Sequence, residues 1–232
     1  MSSTVKITDL HSHILPCADH GSDSIETTKK QLMLMSDAGV DTVVATPHFY
    51  PHRHTVEQFL ARRDKAVNDL LSIHVTRPKI CLGAEVLYCD GLDRMEGLSS
   101  LCIEGTNVLL LELPMDGIEQ SLIETVRRLL KEYTVVLVHI DRYIERMSNE
   151  IDTMLEMGAL AQINTACLFS FSVKRKIMPY VRGGLIEALG SDLHGADKRT
   201  YKQFSDAEKK LGGEYTAIME RSANLIKNSK FI

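Results

Sequence analysis

The sequence lacks a hydrophobic run long enough to cross a bilayer. Its longest apolar segments, such as NVLLLEL and TVVLVHI, are far shorter than the ~20 residues that a membrane-spanning helix needs. The opening MSSTVKITDL also lacks the continuous apolar stretch of a secretory signal. We therefore expect no membrane span and no secretion.

The sequence also shows neither paired cysteines nor a cluster of basic residues. Its five cysteines form no CxxC pair, and reduced thiols of this kind are typical of a cytoplasmic protein. Lysine and arginine are scattered, and the formal net charge is -4. This charge pattern excludes an electrostatic footprint for nucleic acid or anionic lipid, so an anionic substrate would have to be attracted locally.

What the sequence does contain is an alternation of apolar, β-branched segments with segments of helical periodicity. The candidate strands are VKITDLH, DTVVATPH, KICLGAE, NVLLLEL, TVVLVH, ALAQIN and IEALGSD. The pattern between them predicts helices over residues 24–38, 56–72, 117–133, 142–157, 206–211 and 214–227. Strands that are apolar throughout and followed by helices indicate a parallel sheet covered by helices. We expect one α/β domain over residues 1–232.

Acids or imidazoles follow six of these seven segments, at the end where side chains of parallel α/β folds converge on ligands. They are His11, His13, His48, Glu85, Glu112, His139, Asp192 and His194, and His20 lies in the first loop. Only ALAQIN ends without such a residue, and it offers Asn164 and Thr165 instead.

A mixture of imidazoles and carboxylates is typical of Zn, Mn or Fe sites, and the absence of cysteine from it argues against a structural zinc knot. His11 and His13 are two residues apart, so both point to the same side of an extended strand. Each residue alone could be a buried histidine or an ion-pair partner. Several buried carboxylates on neighbouring strands, however, would be costly without a cation. The whole set therefore predicts two or three metal ions.

The motifs DLHSHILP, ATPH, GAE, LLELP, LVHIDRY and SDLHG occur in this order and resemble the PHP (polymerase and histidinol phosphatase) superfamily. Within it, the sequence is most similar to the bacterial manganese-dependent protein-tyrosine phosphatases of the CpsB/CapC type. The resemblance implies a distorted (β/α)7 TIM-like barrel with a three-metal centre, with Mn preferred and Fe, Zn or Mg as alternatives. The ligands it implies are His11, His13, His48, Glu85 as a bridging carboxylate, Glu112, His139, Asp192 and His194. It also places Arg142 and Arg199 around the phosphate as catalytic, substrate-binding residues.

The loop ADHG departs from the family pattern, which has two acids before the glycine. His20 stands where an acidic ligand is expected, and because imidazole is the commonest metal ligand we predict that His20 binds a metal. The exchange removes one negative charge and would alter the metal preference or the substrate. Asp19 would then lie behind the ligands or cap the next helix.

The activity that the resemblance implies is hydrolysis of phosphotyrosine by a metal-activated water, without a covalent intermediate. The partner would be the phosphorylated tail of a bacterial tyrosine kinase that regulates capsule or exopolysaccharide synthesis. A thiol phosphatase is excluded because no C-x5-R loop occurs, and a P-loop protein is excluded because no G-x-x-x-x-G-K-[ST] occurs. Two alternatives stay open. One is another PHP phosphoesterase, such as a histidinol-phosphate phosphatase or a small phosphodiesterase, and the other is a metal-binding protein without turnover.

Two loops and a general acid are left open by the sequence. The acid could be Asp141, His52 or His54. The segment PHFYPHRHT, residues 47–55, either recognises an aromatic ring beside the phosphate or forms a solvated turn. The segment FSFSVKRK, residues 169–176, either docks an acidic or phosphorylated tail or begins a solvated helix. The sequence does not predict the oligomeric state.

Overall fold

A computed structural model describes residues 5–73 and 76–232, and its strands occupy the seven predicted positions. Two of the positions hold a pair of short strands, because two residues interrupt the second and the third candidate strand. The strands are β1 (Thr8–Ser12), β2 (Thr42–Ala45), β3 (His48–Phe49), β4 (Lys79–Leu82), β5 (Glu85–Leu87), β6 (Val108–Glu112), β7 (Thr134–Leu137), β8 (Leu160–Asn164) and β9 (Ile186–Gly190).

All strand pairs are parallel and form a distorted barrel. One sheet has the order β1-β2-β4, and the other has the order β3-β5-β6-β7-β8-β9. The segment after β9 returns to β1, where the N–H of Asp192 donates to the carbonyl of His11 at 2.8 Å and the N–H of His13 donates to that of Leu193 at 3.2 Å. The predicted (β/α)7 barrel is therefore confirmed. Because all strands run in one direction, their carboxyl ends meet at one rim.

Helices cover the outside of the barrel. They are α1 (Ile25–Asp37), α2 (Val56–Leu71), α3 (Gln120–Leu129), α4 (Ser148–Glu156), α5 (Phe171–Arg182), α6 (Lys198–Ser205), α7 (Ala207–Leu211) and α8 (Gly213–Leu225). The side chains of Ser24 and Thr55 cap α1 and α2, as the first residues of a helix require. The helix predicted over 117–133 is shorter at both ends, and the start predicted at residue 142 is wrong, because residues 140–142 form a 3-10 turn and α4 begins only at Ser148. That turn leaves Arg142 at the rim and not inside a helix.

The core has two layers, which follow from the alternation of side chains along each strand. On β6, Val108 and Leu110 belong to a small cluster of buried side chains that fills the barrel. Six of the seven strand positions contribute side chains to it. Leu109 and Leu111 point the other way and pack under the helices. Glu112 continues the inward series at the rim.

Within the described residues, no helix combines the length and apolar character needed to traverse a lipid bilayer.

Candidate metal centre

The eight acids and imidazoles that follow the strands converge on one rim of the barrel. Four overlapping groups of them have ligand-type atoms that lie within 4.8 Å of one another. The groups are His13, His48 and His194; His11, His13 and Asp192; His11, Glu85 and His139; and His48, Glu85 and Glu112. The predicted convergence is confirmed, whereas metal binding by these residues stays a prediction.

Glu85 lies at the centre of this cluster and is completely buried. Its Oε2 atom lies 2.7 Å from Nδ1 of His48. The same oxygen lies 3.3 Å from Nε2 of His11 and 3.3 Å from Nε2 of His13, and Oε1 lies 2.7 Å from Nε2 of His139. Burial opposes ionisation of Glu85, but the neighbouring histidines hold its pKa well below the usual value. A carboxylate that faces two sides of the cluster has the arrangement of a bridging ligand.

The end of β1 presents two buried imidazoles to this carboxylate, as the spacing predicts. Nε2 of His11 and Nε2 of His13 are 3.1 Å apart. Metal–nitrogen bonds of about 2.0–2.1 Å separate two ligands of one ion by about 3.0–3.4 Å. The two nitrogens are therefore spaced as donors to one cation.

Asp192 and Glu112 lie on the side of the cluster nearer to solvent. Oδ1 of Asp192 lies 3.4 Å from Nε2 of His13, and its Oδ2 accepts a hydrogen bond from Arg142. Burial opposes ionisation of Asp192, but His13 and Arg142 hold its pKa well below the usual value. Burial and the charge of Glu85 instead raise the pKa of Glu112 to about 7. The metal-free chain therefore does not favour ionisation of all three carboxylates at neutral pH, and a cation would supply the missing positive charge.

Two candidate ligands have strained backbones. His139 has φ 36° and Asp192 has φ 51°, which is the left-handed region that non-glycine residues rarely occupy. Such strain costs of order 1–3 kcal/mol and persists only where surrounding contacts enforce it. In both residues it turns the chain at the end of a strand and brings the side chain into the cluster.

His20 lies beside the cluster and is exposed. Its ring stacks on those of His48 and His194, with centroid distances of 4.8 and 4.6 Å. In residues 5–73 and 76–232, none of the four ligand groups includes it. The prediction that His20 binds a metal therefore stays a prediction, with the ring placed at the rim.

Asp19 lies behind the ligands, which is one of the two roles that the sequence left open. Its carboxylate accepts hydrogen bonds from Nδ1 of His13 and from the N–H groups of Gly21 and His48. Burial opposes its ionisation, but the bond to His13 holds the pKa of Asp19 well below the usual value. Ser24 caps α1 in its place. Carboxylates in this position fix the ring and the tautomer of a ligating histidine.

Two buried polar atoms without hydrogen-bond partners support a site for divalent cations. Oε2 of Glu85 and Nδ1 of His48 are both buried, and neither has a hydrogen-bond partner among the described residues. The two atoms nevertheless lie 2.7 Å apart, a close approach whose angles are not those of a hydrogen bond. Unpartnered buried polar atoms are costly. A divalent cation held by Glu85 and His48 would give both atoms a partner.

The two predicted phosphate-binding arginines lie in different surroundings. Arg142 follows β7 and contacts Asp192, with Oε1 of Glu112 4.0 Å from its guanidinium. Arg199 is exposed on the first turn of α6 and lines a cavity of about 330 Å³ together with Phe169 and Gln203. The structure thus brings Arg142 to the cluster, whereas Arg199 lines a cavity whose lining includes none of the eight acids and imidazoles.

The three candidate acids lie apart from one another. Asp141 is half-buried, which raises its pKa to about 6, and its Oδ1 accepts a hydrogen bond from the N–H of Asn164. His54 lies 2.9 Å from the guanidinium of Arg62, and burial together with Arg62 lowers its pKa. His52 is exposed on the loop after β3. Which of the three supplies the proton stays a prediction.

Sequence reasoning missed several buried polar residues that surround the ligands. Asp9 accepts the N–H of Ser191 at 2.8 Å and the hydroxyl of Tyr201 at 3.2 Å, and so joins β1 to the end of β9 and to α6. Gln162 lies on the inner side of β8 beside Asn164, which the sequence already placed at the end of this strand. Their one signal in the sequence was polarity inside an otherwise apolar strand, which is unusual because buried amides need partners.

A family model described as capsular polysaccharide synthesis, CpsB/CapC, matches residues 7–228. The chain belongs to the CpsB/CapC family. Tyrosine-protein phosphatase CpsB of Streptococcus pneumoniae is 28% identical over 212 residues, which cover 82% of this chain and 84% of that protein. Tyrosine-protein phosphatase YwqE of Bacillus subtilis (strain 168) is 27% identical over 242 residues, which cover 97% of this chain and 92% of the relative.

Solved structures show that the CpsB/CapC barrel recurs in other proteins. A structure from a study of YwqE from Bacillus subtilis and CpsB from Streptococcus pneumoniae, described there as metal-dependent tyrosine phosphatases, has a TM-score of 0.78 at 22% identity, over 97% of this chain and 96% of that one. Histidinol phosphate phosphatase from Lactococcus lactis has a TM-score of 0.59 at 14% identity, over 90% and 95% of the two chains. At these identities, the similarity is one of fold.

Proposed function

We propose that this chain is a metal-dependent hydrolase of phosphotyrosine in proteins. The observation that carries the proposal is the position of Glu85, a fully buried carboxylate that lies close to four histidines from three strand positions. Compensating cations stabilise buried carboxylates that lie this close together. The names of the two curated relatives support the choice of phosphotyrosine as the substrate.

The members of the four ligand groups would hold two or three divalent ions. Glu85 would be shared between ions, and His20 would be a further ligand at the rim. Imidazole and carboxylate donors suit Mn, Fe and Zn, and we take manganese as the metal. When bound, such ions act as Lewis acids on phosphoryl oxygens and lower the pKa of a coordinated water from ~16 to about 7. Asp19 and Asp9 hold the loops that carry the ligands.

Arg142 would bind the phosphate. Its guanidinium touches Asp192 and faces Glu112 while its side chain keeps 39% of its surface exposed, so it stands between the buried carboxylates and the solvent side of the rim. A guanidinium grips two phosphate oxygens at once and offsets the charge that develops on them. Arg199, which lines the cavity with Phe169, would contact the substrate outside the ligand groups. A tyrosine leaving group, with a pKa of ~10, needs less protonation than a serine alkoxide.

The natural substrate in this proposal is the phosphorylated tail of a tyrosine kinase that regulates capsule or exopolysaccharide synthesis, in the cytoplasm. The description of the family as one of capsular polysaccharide synthesis supports the pathway. All five cysteines are free, which supports a reducing compartment. The kinase itself is chosen because its product is the phosphotyrosine that the site would hydrolyse.

A substrate panel tests the proposal. The protein is stripped of metal, reloaded with Mn²⁺, and given a phosphotyrosyl peptide, histidinol phosphate and bis-p-nitrophenyl phosphate side by side. We expect the peptide to have the highest kcat/KM, and Glu85→Ala to abolish turnover while circular dichroism shows the fold retained. Preference for histidinol phosphate or the diester would contradict the phosphotyrosine assignment. Full metal loading without hydrolysis of any of the three would indicate a binding protein.

A further inference from the structure

The strand β8 carries two buried amides beside the cluster, although it supplies no acid or imidazole. Gln162 is completely buried, and Asn164 is 7% exposed. Their side chains are two residues apart on the same face of the strand and point toward ligands from β1, β7 and β9. The donors and acceptors of their hydrogen bonds can be assigned in only one way.

The direction is set by a backbone group. The N–H of His139 donates to the side chain of Gln162 at 2.7 Å, and because an N–H cannot accept, the atom that faces it is Oε1. This bond also holds His139 in its left-handed conformation. The same Oε1 lies 3.4 Å from Nδ1 of His11. An amide oxygen cannot donate, so Nδ1 of His11 carries the hydrogen.

The consequence for His11 concerns its other nitrogen. With the hydrogen on Nδ1, the neutral ring has its lone pair on Nε2, the atom that lies 3.3 Å from Glu85 and 3.1 Å from His13. The orientation of one amide therefore decides which nitrogen of His11 is available to a cation.

The second half of the same amide reaches a third ligand. Nε2 of Gln162 donates to Oδ1 of Asn164 at 3.0 Å, which leaves Nδ2 of Asn164 to donate to Oδ2 of Asp192 at 2.8 Å. Oδ2 of Asp192 is thus an acceptor, and its Oδ1 is left facing the histidines of β1. The series His139, Gln162, Asn164, Asp192 is consistent in only one orientation of both amides.

The space for this series comes from Gly190 on β9. A Cβ atom at this position would lie 2.5 Å from Nε2 of Gln162 and 2.7 Å from Cβ of His11. Only glycine at position 190 lets the amide of Gln162 and the imidazole of His11 pack this closely, so the backbone of β9 supports the arrangement that the hydrogen bonds indicate.

We propose that Gln162 is a positioning residue: it fixes the tautomer of His11 and, through Asn164, the orientation of Asp192 toward the metal. The proposal rests on the metal dependence proposed above. Its test measures metal coordination and not turnover, so the positioning role of Gln162 and the proposed function can be contradicted independently.

The first measurement uses the wild-type protein loaded with Zn²⁺, which is diamagnetic, and labelled with ¹⁵N-histidine. We expect His11 to coordinate through Nε2 while Nδ1 keeps its proton. Coordination of His11 through Nδ1 would overturn the proposal, whether or not the enzyme hydrolyses phosphotyrosine. A protein with the expected tautomer but no hydrolysis would instead contradict the proposed function.

The second measurement is metal affinity in three variants. Gln162→Met keeps the length of the side chain but makes no hydrogen bond, and we expect affinity for Mn²⁺ and Zn²⁺ to fall 10–100-fold. Gln162→Glu keeps an acceptor for His139 and His11, so His11 should keep its wild-type tautomer. The same variant loses the hydrogen bond that Nε2 of Gln162 donates to Asn164. Thr125→Val removes a buried hydroxyl on α3, away from the rim, and controls for the general cost of a lost hydrogen bond.

The outcomes separate a positioning role from a structural one. Lowered metal affinity in Gln162→Met with wild-type affinity in Thr125→Val supports the proposal. Equal affinity in Gln162→Met and wild type, within twofold, contradicts it. If Gln162→Met does not fold, the measurement on the wild-type protein still decides.

Discussion

Nδ1 of His13 donates a hydrogen bond of 2.7 Å to Oδ2 of Asp19, six residues further along the chain. The bond directs the opposite nitrogen of the ring, Nε2, toward Glu85 and Asp192. Asp19 therefore acts on the candidate metal centre through His13, although none of the four ligand groups found among the described residues includes it. This pair is the basis of the first prediction.

Asp19→Asn should weaken metal binding about 10–100-fold. The carboxylate accepts from three donors, on His13, Gly21 and His48, and an amide cannot accept on both sides. Titration of the metal-free variant with Mn²⁺ in a competing chelator measures the affinity. Affinity equal to that of the wild type would show that the bond to His13 does not orient the ring.

Removal of metal should destabilise the fold. The cluster contains three carboxylates and several histidines that repel or desolvate one another when no cation is present, and a ligand at 100 times its Kd stabilises by about 2.7 kcal/mol. For a domain of this size, that corresponds to a fall of about 5–10 °C in Tm on chelation. Differential scanning calorimetry before and after EDTA, followed by restoration with Mn²⁺, measures it. An unchanged Tm would mean that the cluster is stable without ions.

Gly190→Ala should cost about 1–3 kcal/mol of unfolding free energy and should lower metal affinity as well. The added methyl group would collide with Gln162 and His11, which are both buried. Gly213→Ala is the matched control, because a Cβ atom there meets nothing within 4 Å and alanine favours the start of α8. Urea unfolding of both variants measures the difference. Equal stability of the two would contradict the packing described at Gly190.

Arg142→Ala should lower kcat for a phosphotyrosyl peptide about 10²–10³-fold, because it removes a donor aimed at the developing charge. Arg199→Ala should mainly raise KM, because Arg199 is exposed and lines a cavity that includes none of the candidate ligands. Steady-state kinetics of the two variants at equal metal loading separates the roles. A larger fall in kcat for Arg199→Ala than for Arg142→Ala would reverse the assignment.

His20→Ala tests the loop that departs from the family pattern. If His20 is a ligand, metal analysis after gel filtration should show that the variant retains fewer ions than the wild type, since the loss of one ligand weakens one site. His52→Ala, an exposed histidine on another loop, is the control. Equal metal content in all three proteins would remove His20 from the ligand set.

The pattern of the sequence determined a parallel sheet with ligand-type residues at one edge, and the resemblance to the PHP superfamily implied that this sheet closes into a barrel. Seven apolar segments, each followed by a helix or a turn, allow little other than a parallel sheet closed by helices, and the carboxyl ends of parallel strands meet at one edge. The sequence therefore predicted that residues at those ends, from His11 to His194, lie close together. The spacing of His11 and His13 was sufficient because a strand repeats every two residues.

Only the tertiary structure decided what stands behind those residues. The bond from His139 to Gln162 joins residues 23 apart in the chain, and the pair of Gln162 and His11 is separated by 151. Such contacts depend on the register between strands and on left-handed backbones at His139 and Asp192, neither of which has a local signature. Periodicity gives the face of a strand on which a side chain lies, but the partner across the barrel depends on how all seven positions close. For this reason the sequence indicated the ligands, and the fold alone assigned Asp19, Gln162 and Asn164 to their places around them.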